Sequence, residues 1–408
     1  MSSFLSRILS IEKEYRTLSR ISIGGLLFTL GTGVVWFILP ILAEKLFKDL
    51  MIVGLLIAIP SIISLSFDIP IGGLSDRIGR KKLFLGGLIV MSSLGLLLPS
   101  INTFTRFILF MILFGLANLS IIVPSRAYIM DIAPKGKTSE FFGISEAAQQ
   151  IGFAIAPVIG GYFIADRLGI GLLNTGLFFL LMSLIAAMIL LLVKETVTKE
   201  KPTFVSIKDV ITKDKVFLKS LLDYKSLHYA GVAIFLSTFI IVFIDGIVWT
   251  FGPLYTTLGV ETWMVGLILS MFVLPFILFE VPAGIIADKF SKITLFVIGL
   301  LLAGVFLILF GSTQNSMILI VSAFVATTGL AFARPAMEGF LTDISAKKEH
   351  GSIVGVWDVA EDSAYAISPL IGGIIANVYG IGVTFMLLGG SLIVLVPFIY
   401  LAIRKSKF

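Results

Sequence analysis

The sequence predicts an all-α membrane protein with twelve transmembrane helices in two pseudo-symmetric six-helix halves. Three observations predict it: a composition suited to lipid, apolar segments that recur along the whole chain, and an internal repeat. Of the 408 residues, 57% are hydrophobic and only 14% are charged. A soluble domain carries about 25% charged residues, so this balance favours a bilayer as the solvent.

The apolar segments are each about 20 residues long, which is the length that crosses a bilayer as a helix. Before them, residues 1–19 mix apolar and basic side chains, which indicates an amphipathic lead-in on the membrane surface. We place the spans at residues 20–43, 51–75, 82–100, 105–131, 139–165, 171–193, 228–256, 262–288, 292–311, 315–343, 350–378 and 381–403.

The basic residues are concentrated in alternate loops. With the N-terminus in the cytoplasm, 25 of the 31 lysines and arginines fall in cytoplasmic segments. This distribution follows the positive-inside rule and predicts a multi-pass protein of the cell membrane with both termini cytoplasmic. Topology therefore explains the net charge of +6, and no nucleic-acid partner is expected.

The residues that enzymes and cofactor proteins depend on are scarce. The chain has no cysteine and only two histidines, which argues against disulfides, thiolate metal sites and histidine metal sites. No P-loop pattern occurs, and no nucleophile–base pair or metal cluster can be assembled from the pattern of residues. We therefore expect neither an enzyme nor a bound cofactor.

A repeat with an offset of 212 residues relates the two halves. Gly72 matches Gly284 (284 minus 72 is 212), and Asp131 matches Asp343 at the same offset. The repeat predicts an N-terminal half at 1–193 and a C-terminal half at 228–408, in the same orientation in the membrane. The lysine-rich stretch 194–227 between them is predicted to be a cytoplasmic linker containing an amphipathic helix.

A signature follows the second span, where residues 72–82 read GGLSDRIGRKK. Two glycines allow close helix packing, a third permits a tight turn, and the arginine that follows can pair with a carboxylate. This segment resembles the signature between helices 2 and 3 of the major facilitator superfamily. Its key residues are Gly72, Gly73, Asp76, Arg77, Gly79 and Arg80.

The resemblance implies a gate. It places Asp76 at the N-terminal end of helix 11 and pairs Arg80 with Asp131, at the end of helix 4, in a latch that holds the outward-open state. The second half carries a degenerate copy that would serve the other interface more weakly. In the alternative interpretation, these charges only fix the topology. The second copy consists of Asp288, Lys292 and Asp343.

The fifth span looks like the helix 5 antiporter motif of drug:proton exporters, with Ala156 where that motif has glycine. Its proline is expected to kink the helix, and its glycines to pack against the opposite half. A generic kinked packing helix would look much the same. In helix 4, Met111 and Phe114 stand where such exporters carry an arginine and a glutamine. The motif residues are Gly152, Pro157, Gly160 and Gly161.

Ionisable side chains inside spans are costly in lipid and are therefore candidates for function. In the family's arrangement, Asp68 lies near the acids of helix 11, and Glu280 lies near Glu146. Carboxylates that share a low-dielectric interface cannot all ionise, so such sites can carry a coupling proton. Fixed hydrogen bonds or exposure to water are the alternatives. The set is Asp68, Arg126, Glu146, Asp245, Glu280, Arg334, Glu338, Asp358, Glu361 and Asp362.

Three of these residues offer two alternative charge pairs. Arg126 and Glu338 are equivalent in the repeat but carry opposite charges. They can pair across the cavity as a gate, because helices 4 and 10 line the cavity in this family. Alternatively, Glu338 neutralises Arg334, which lies one turn earlier on the same helix.

Asp245 is expected deep in helix 7, with Trp249 one turn further on and Trp36 at the matching place in helix 1. Aromatic rings beside an acid suit lipophilic cations through stacking and cation–π contact. In the alternative interpretation, the two tryptophans are ordinary packing residues.

The sequence thus predicts a secondary active transporter that works by alternating access. We interpret it as a monomer that exports small amphipathic or lipophilic compounds in exchange for protons. Two alternatives remain open. One is proton-coupled uptake of a sugar or organic anion, with Arg126 and Arg334 as anion clamps. The other is a lipid or lysolipid flippase.

Overall fold

A computed structural model describes residues 2–134, 137–164, 168–196, 230–257, 260–289, 291–344 and 350–405. These residues form α-helices and one 3-10 turn, at Leu98–Ser100. The helices are α1 Ser2–Phe47, α2 Leu50–Ile78, α3 Arg80–Leu97, α4 Phe104–Ile132, α5 Thr138–Ile164, α6 Leu168–Leu191, α7 Ala230–Thr257, α8a Thr262–Ser270, α8b Leu274–Lys289, α9 Lys292–Gly311, α10 Ser316–Ile344, α11 His350–Tyr379 and α12 Ile381–Lys405.

Among the described residues, 11 helical stretches are long and apolar enough to cross a membrane. They match eleven of the twelve expected spans in order. The remaining span falls on α11, a helix of 30 residues. The acidic residues Asp358, Glu361 and Asp362 lie in α11. The fold is an all-α membrane bundle, as the sequence predicts.

The eighth expected span, 262–288, matches a candidate membrane span at Trp263–Ala287. It is interrupted at Met271–Val273, between α8a and α8b. Pro275 has no N–H to donate, and its ring crowds the carbonyl four residues earlier. At the break, backbone hydrogen bonds join residues three apart instead of four. The N–H of Phe272 donates to the carbonyl of Leu269 at 3.0 Å, and the N–H of Phe276 donates to the carbonyl of Val273 at 3.1 Å.

The lead-in before the first span is continuous with that span in α1. Two of its side chains contact the protein: Leu18 is buried, and the Tyr15 hydroxyl donates to Glu140 at 2.5 Å. Lys137, in the loop before α5, donates to the same hydroxyl at 2.7 Å. That hydrogen bond raises the pKa of Lys137. The predicted amphipathic helix of the linker lies outside the described residues.

The helices group into two compact units. The first consists of Met1–Ile38 and Ser66–Phe204, and the second of Leu39–Leu65 and Val205–Phe408. The N-terminal part of α2, up to Leu65, thus belongs with the second unit, where Gly54 meets Gly373 of α11. A Cβ on Gly54 would lie 3.3 Å from the Cα of Gly373.

Equivalent helices pack in the same way within each unit. In the first, α1 meets α5, where a Cβ on Gly33 would lie 2.6 Å from the Cβ of Ala156. In the second, α7 meets α11, where a Cβ on Gly246 would lie 2.0 Å from the Oγ of Ser368. Ala156 and Ser368 are 212 residues apart. The repeat seen in sequence is therefore a repeat in packing.

Two glycines of α5 pack closely within the first unit, and the expected packing of α5 against the opposite half stays a prediction. A Cβ on Gly152 would lie 2.3 Å from Thr29 Oγ1, and one on Gly160 would lie 2.5 Å from the Phe37 ring. Both contacts are to α1 in the same unit. These two glycines therefore let α5 approach the helix beside it, because an added side chain has no space there.

Candidate functional site

Arg80, the first residue of α3, joins three helices of the first unit. Its guanidinium forms a salt bridge with Asp131 of α4 and donates to the carbonyl of Ala127 on the same helix. Asp76 at the end of α2 lies 3.4 Å away. The Arg80 side chain is only 17% exposed. The structure thus brings together the arginine and the carboxylate that the family resemblance paired.

The turn before Arg80 requires glycine. Gly79 has a φ of 106°, and a Cβ there would lie 2.5 Å from Oε2 of Glu195. Glu195 lies just beyond α6 and accepts from the backbone N–H of Lys81 at 3.4 Å. Lys81 in turn donates to the carbonyl of Leu191 at 2.9 Å. Sequence reasoning missed Glu195, which had no recognisable motif and lay in the expected linker.

The second unit holds a reduced copy of this arrangement. Lys292, at the start of α9, donates to the carbonyl of Gly339 at 3.3 Å. Both residues are 212 positions from Arg80 and Ala127. In both halves of the repeat, a basic side chain therefore donates to the backbone carbonyl at the equivalent position. The side chains of its two other predicted members, Asp288 and Asp343, lie outside the described part of the structure.

Asp245 is the centre of a polar cluster in the second unit. The Tyr365 hydroxyl of α11 donates to its Oδ2 at 2.6 Å, and the Trp249 side chain also forms a hydrogen bond to the carboxylate. Arg334 of α10 and Glu361 of α11 lie within electrostatic range. We call Asp245, Trp249, Arg334, Glu361 and Tyr365 the Asp245 cluster.

Sequence reasoning found four members of this cluster and missed Tyr365. A signal was available, because Tyr365 lies within the repeated motif that ends at Gly373. Its counterpart 212 residues earlier is Phe153. Tyr365 and Phe153 are thus equivalent aromatic residues that differ only in the hydroxyl of Tyr365.

At the matching positions, the first unit is uncharged. Asp245, Glu361, Arg334 and Tyr365 are replaced there by Thr32, Gln149, Ile122 and Phe153. The Thr32 hydroxyl is satisfied within its own helix, by the Phe28 carbonyl at 2.6 Å. Trp36 packs edge-on against Phe114, with 5.5 Å between ring centroids.

Asp68 and Arg126 are neighbours in the first unit, which sequence reasoning did not foresee. Arg126 acts electrostatically on Asp68. Contact between α2 and α4 explains the proximity, since a Cβ on Gly72 would lie 3.8 Å from Val123. Asp68 is half-buried and Arg126 is exposed. The spans could be placed from sequence, but the rotation of α4 that directs Arg126 towards α2 could not.

The remaining candidates are placed individually. Glu146 is exposed on α5, while Glu280, Glu361 and Asp362 are half-buried in the second unit. The side chains of Glu338 and Asp358 lie outside the described residues. The expected pairings of Asp68 with the acids of α11, of Glu280 with Glu146, and of Glu338 with either arginine therefore stay predictions.

The helix 4 positions that carry polar residues in drug exporters lie in an apolar core here. Met111 and Phe114 are fully buried. Phe114 stacks on Phe110 at 5.8 Å between centroids and contacts Phe179 at 6.3 Å. A charged or amide side chain would be unfavourable in this setting.

Comparison with known proteins agrees with this architecture. A sequence model of the Major Facilitator Superfamily matches residues 21–261 and 234–407. An uncharacterised transporter of that type from Methanocaldococcus jannaschii is 24% identical over 365 residues, covering 86% of this chain and 89% of that protein. The quinolone resistance protein NorA of Staphylococcus aureus is 23% identical over 377 residues, covering 90% and 91%.

A shorter match and two solved structures complete the comparison. Multidrug resistance protein 2 of Bacillus subtilis is 30% identical over 217 residues, covering 53% of this chain and 51% of that protein. A bacterial homologue of the human lysosomal transporter Spinster superimposes with a TM-score of 0.75 at 14% identity, covering 97% and 98%. A D-xylose–proton symporter gives 0.73 at 18% identity, covering 96% and 97%. These structures share the fold.

Proposed function

Because the chain belongs to the Major Facilitator Superfamily, we propose that this transporter exports small amphipathic or lipophilic compounds in exchange for protons. The observation that carries the proposal is the Asp245 cluster. A carboxylate inside a membrane-spanning helix can hold either a proton or a cationic group. The two ligands then compete, and this competition is the basis of antiport.

The composition of the cluster favours cations over anions. It contains two acids, Asp245 and Glu361, and one base, Arg334. Formal charge therefore opposes an organic anion, even though Arg334 alone could bind one. Trp249 adds an aromatic face beside the carboxylate, which suits a lipophilic cation. Multidrug and quinolone resistance proteins among the relatives support the same substrate class.

Other residues are assigned supporting roles. Arg80 and Asp131 act as a latch that stabilises one conformation, and Lys292 is its weaker counterpart. Asp68, Glu146 and Glu280 are candidates for additional proton sites. The distribution of basic residues supports a protein of the cell membrane with both termini cytoplasmic, and we propose that it acts as a monomer.

The proposal is tested with the purified protein in liposomes that enclose a pH-sensitive dye. Under an imposed proton gradient, we expect tetraphenylphosphonium to trigger proton movement opposite to its own. Neutral drugs, D-xylose and a lysolipid serve as comparison compounds. Asp245→Asn is expected to abolish the response.

Two outcomes contradict the proposal. Equilibration of D-xylose or lysolipid without proton movement indicates uptake or lipid transport. A response to tetraphenylphosphonium that Asp245→Asn leaves unchanged removes Asp245 from the coupling step.

A further inference from the structure

We propose that Tyr365 is a positioning residue, which sets when Asp245 releases and accepts its proton. This inference deepens the proposed function, since it rests on Asp245 as the coupling site. Tyr365 lies on α11 and Asp245 on α7, so their hydrogen bond crosses the interface between two helices. A change in that interface alters the hydrogen bonding of the acid.

The geometry is that of a strong, short hydrogen bond. The Tyr365 hydroxyl lies 2.6 Å from Oδ2 of Asp245, within the range for a hydroxyl that donates to a carboxylate. The Tyr365 ring stands against α7, since a Cβ on Gly246 would be in van der Waals contact with it at 3.5 Å.

A phenol is suited to serve both protonation states of the acid. Its hydroxyl donates to the ionised carboxylate and can rotate to accept from the protonated acid. The other contact differs, because the Trp249 indole can only donate. When Asp245 takes up a proton, Tyr365 is therefore the partner that can exchange roles without moving its ring.

The first unit shows that the fold does not need this hydroxyl. At the matching interface, Gly33 packs against Phe153, and a Cβ on this glycine would lie 3.2 Å from the phenyl ring. Phe153 is the counterpart of Tyr365. An aromatic ring is thus sufficient for the packing of these helices, and the hydroxyl is left for another role.

Among the described residues, the charges that act on Asp245 come from two helices. Glu361 lies on α11, one turn from Tyr365, and Arg334 lies on α10; both act electrostatically on Asp245 and on Tyr365. Their effects oppose each other in sign. Removing the hydroxyl leaves both charges in place, so Tyr365→Phe isolates the hydrogen bond.

The test is pH-difference infrared spectroscopy of the full-length protein in lipid, which needs no transported compound. The carbonyl band of a protonated acid that disappears in Asp245→Asn identifies Asp245. In Tyr365→Phe, the midpoint of its titration moves to higher pH by about one unit, because the ionised form has lost a donor. The carbonyl frequency also changes, since the protonated acid has lost an acceptor.

Two controls separate the hydrogen bond from general damage. Tyr255→Phe removes a hydroxyl of the same unit that donates to backbone carbonyls of Gly311 and Thr313 at 2.8 and 2.9 Å, and it leaves the band unchanged. Incorporating 3-fluorotyrosine at position 365 keeps the ring and strengthens the donor. The midpoint then moves to lower pH, and this measurement does not depend on the folding of Tyr365→Phe.

The proposal is overturned if the band of Asp245 has the same midpoint and frequency with tyrosine, 3-fluorotyrosine and phenylalanine at position 365. It is also overturned if no titrating band disappears in Asp245→Asn. If the protein carries a compound other than those assayed, the export assay fails but the infrared titration of Asp245 still succeeds. The two proposals are therefore distinguishable.

Discussion

In the first unit, the interface between α1 and α5 is uncharged where Thr32 and Phe153 lie, whereas the matching part of the α7–α11 interface in the second unit contains Asp245 and Tyr365. The packing is otherwise alike: Gly33 meets Ala156 in one, and Gly246 meets Ser368 in the other. One sequence thus contains both a charged and an uncharged version of the same interface. The difference indicates which polar residues the fold can do without, and these are the candidates for transport.

The largest effect is expected from the carboxylate itself. Asp245→Asn keeps the size of the side chain but removes its charge and replaces one acceptor oxygen with a donor NH2, so we expect proton-coupled transport to fall by about tenfold or more. Thr32→Val is the matched change in the first unit and is expected to alter transport by less than about twofold, because the Thr32 hydroxyl bonds only its own helix. Initial rates in proteoliposomes measure both. If Asp245→Asn and Thr32→Val lower the transport rate equally, the two units do not differ in function at these positions.

The two basic residues at the starts of α3 and α9 sharpen the comparison. Arg80→Ala removes the salt bridge to Asp131, whose side chain is 31% exposed, and is expected to cost about 1.5–3 kcal/mol. Lys292→Ala removes a contact to the carbonyl of Gly339 and is expected to cost about 1 kcal/mol. Thermal unfolding in detergent is therefore expected at a lower temperature for Arg80→Ala. If Lys292→Ala lowers the unfolding temperature more than Arg80→Ala does, Lys292 rather than Arg80 forms the stronger latch.

Gly246→Ala tests the close approach of α7 to α11. The added Cβ would lie 2.0 Å from the Oγ of Ser368, and overpacking of this kind costs about 1–3 kcal/mol. We expect a lower unfolding temperature and weaker transport. Adding Ser368→Ala relieves part of the clash, so the double variant is expected to be more stable than Gly246→Ala. If the double variant is no more stable than Gly246→Ala, the contact with Ser368 does not limit how closely α7 approaches α11.

The smallest effect is expected from Ser368→Ala alone. Among the described atoms, the buried Ser368 hydroxyl has no hydrogen-bond partner, and Ala156 occupies the matching position in the first unit. The substitution should therefore be neutral or slightly stabilising, within about 1 kcal/mol. Its unfolding temperature checks this. A marked loss of stability would show that the two interfaces differ in more than charge.

Much of the fold follows from local features of the sequence. The spans follow from the length of the apolar segments, and the match between Gly33 and Gly246 follows from the repeat. The break at Pro275 was also accessible, because proline cannot donate the bond that a continuous helix needs.

The contacts between distant residues were harder to predict. Arg80 and Asp131 were paired through resemblance to a family signature. Glu195 and Tyr365 had no such guide, because each is significant only through a neighbour more than a hundred positions away. Hydropathy fixes which residues are in a span but not the rotation of each helix, and the rotation decides which side chains meet.

The central claim is that Asp245 exchanges a proton for a cationic substrate, and it is tested most directly at equilibrium. Tetraphenylphosphonium is added to purified protein in weakly buffered solution, and proton release is recorded with a pH indicator. The account predicts release from the parent protein and from Thr32→Val, and none from Asp245→Asn. Binding of tetraphenylphosphonium with equal proton release from Asp245→Asn would contradict it.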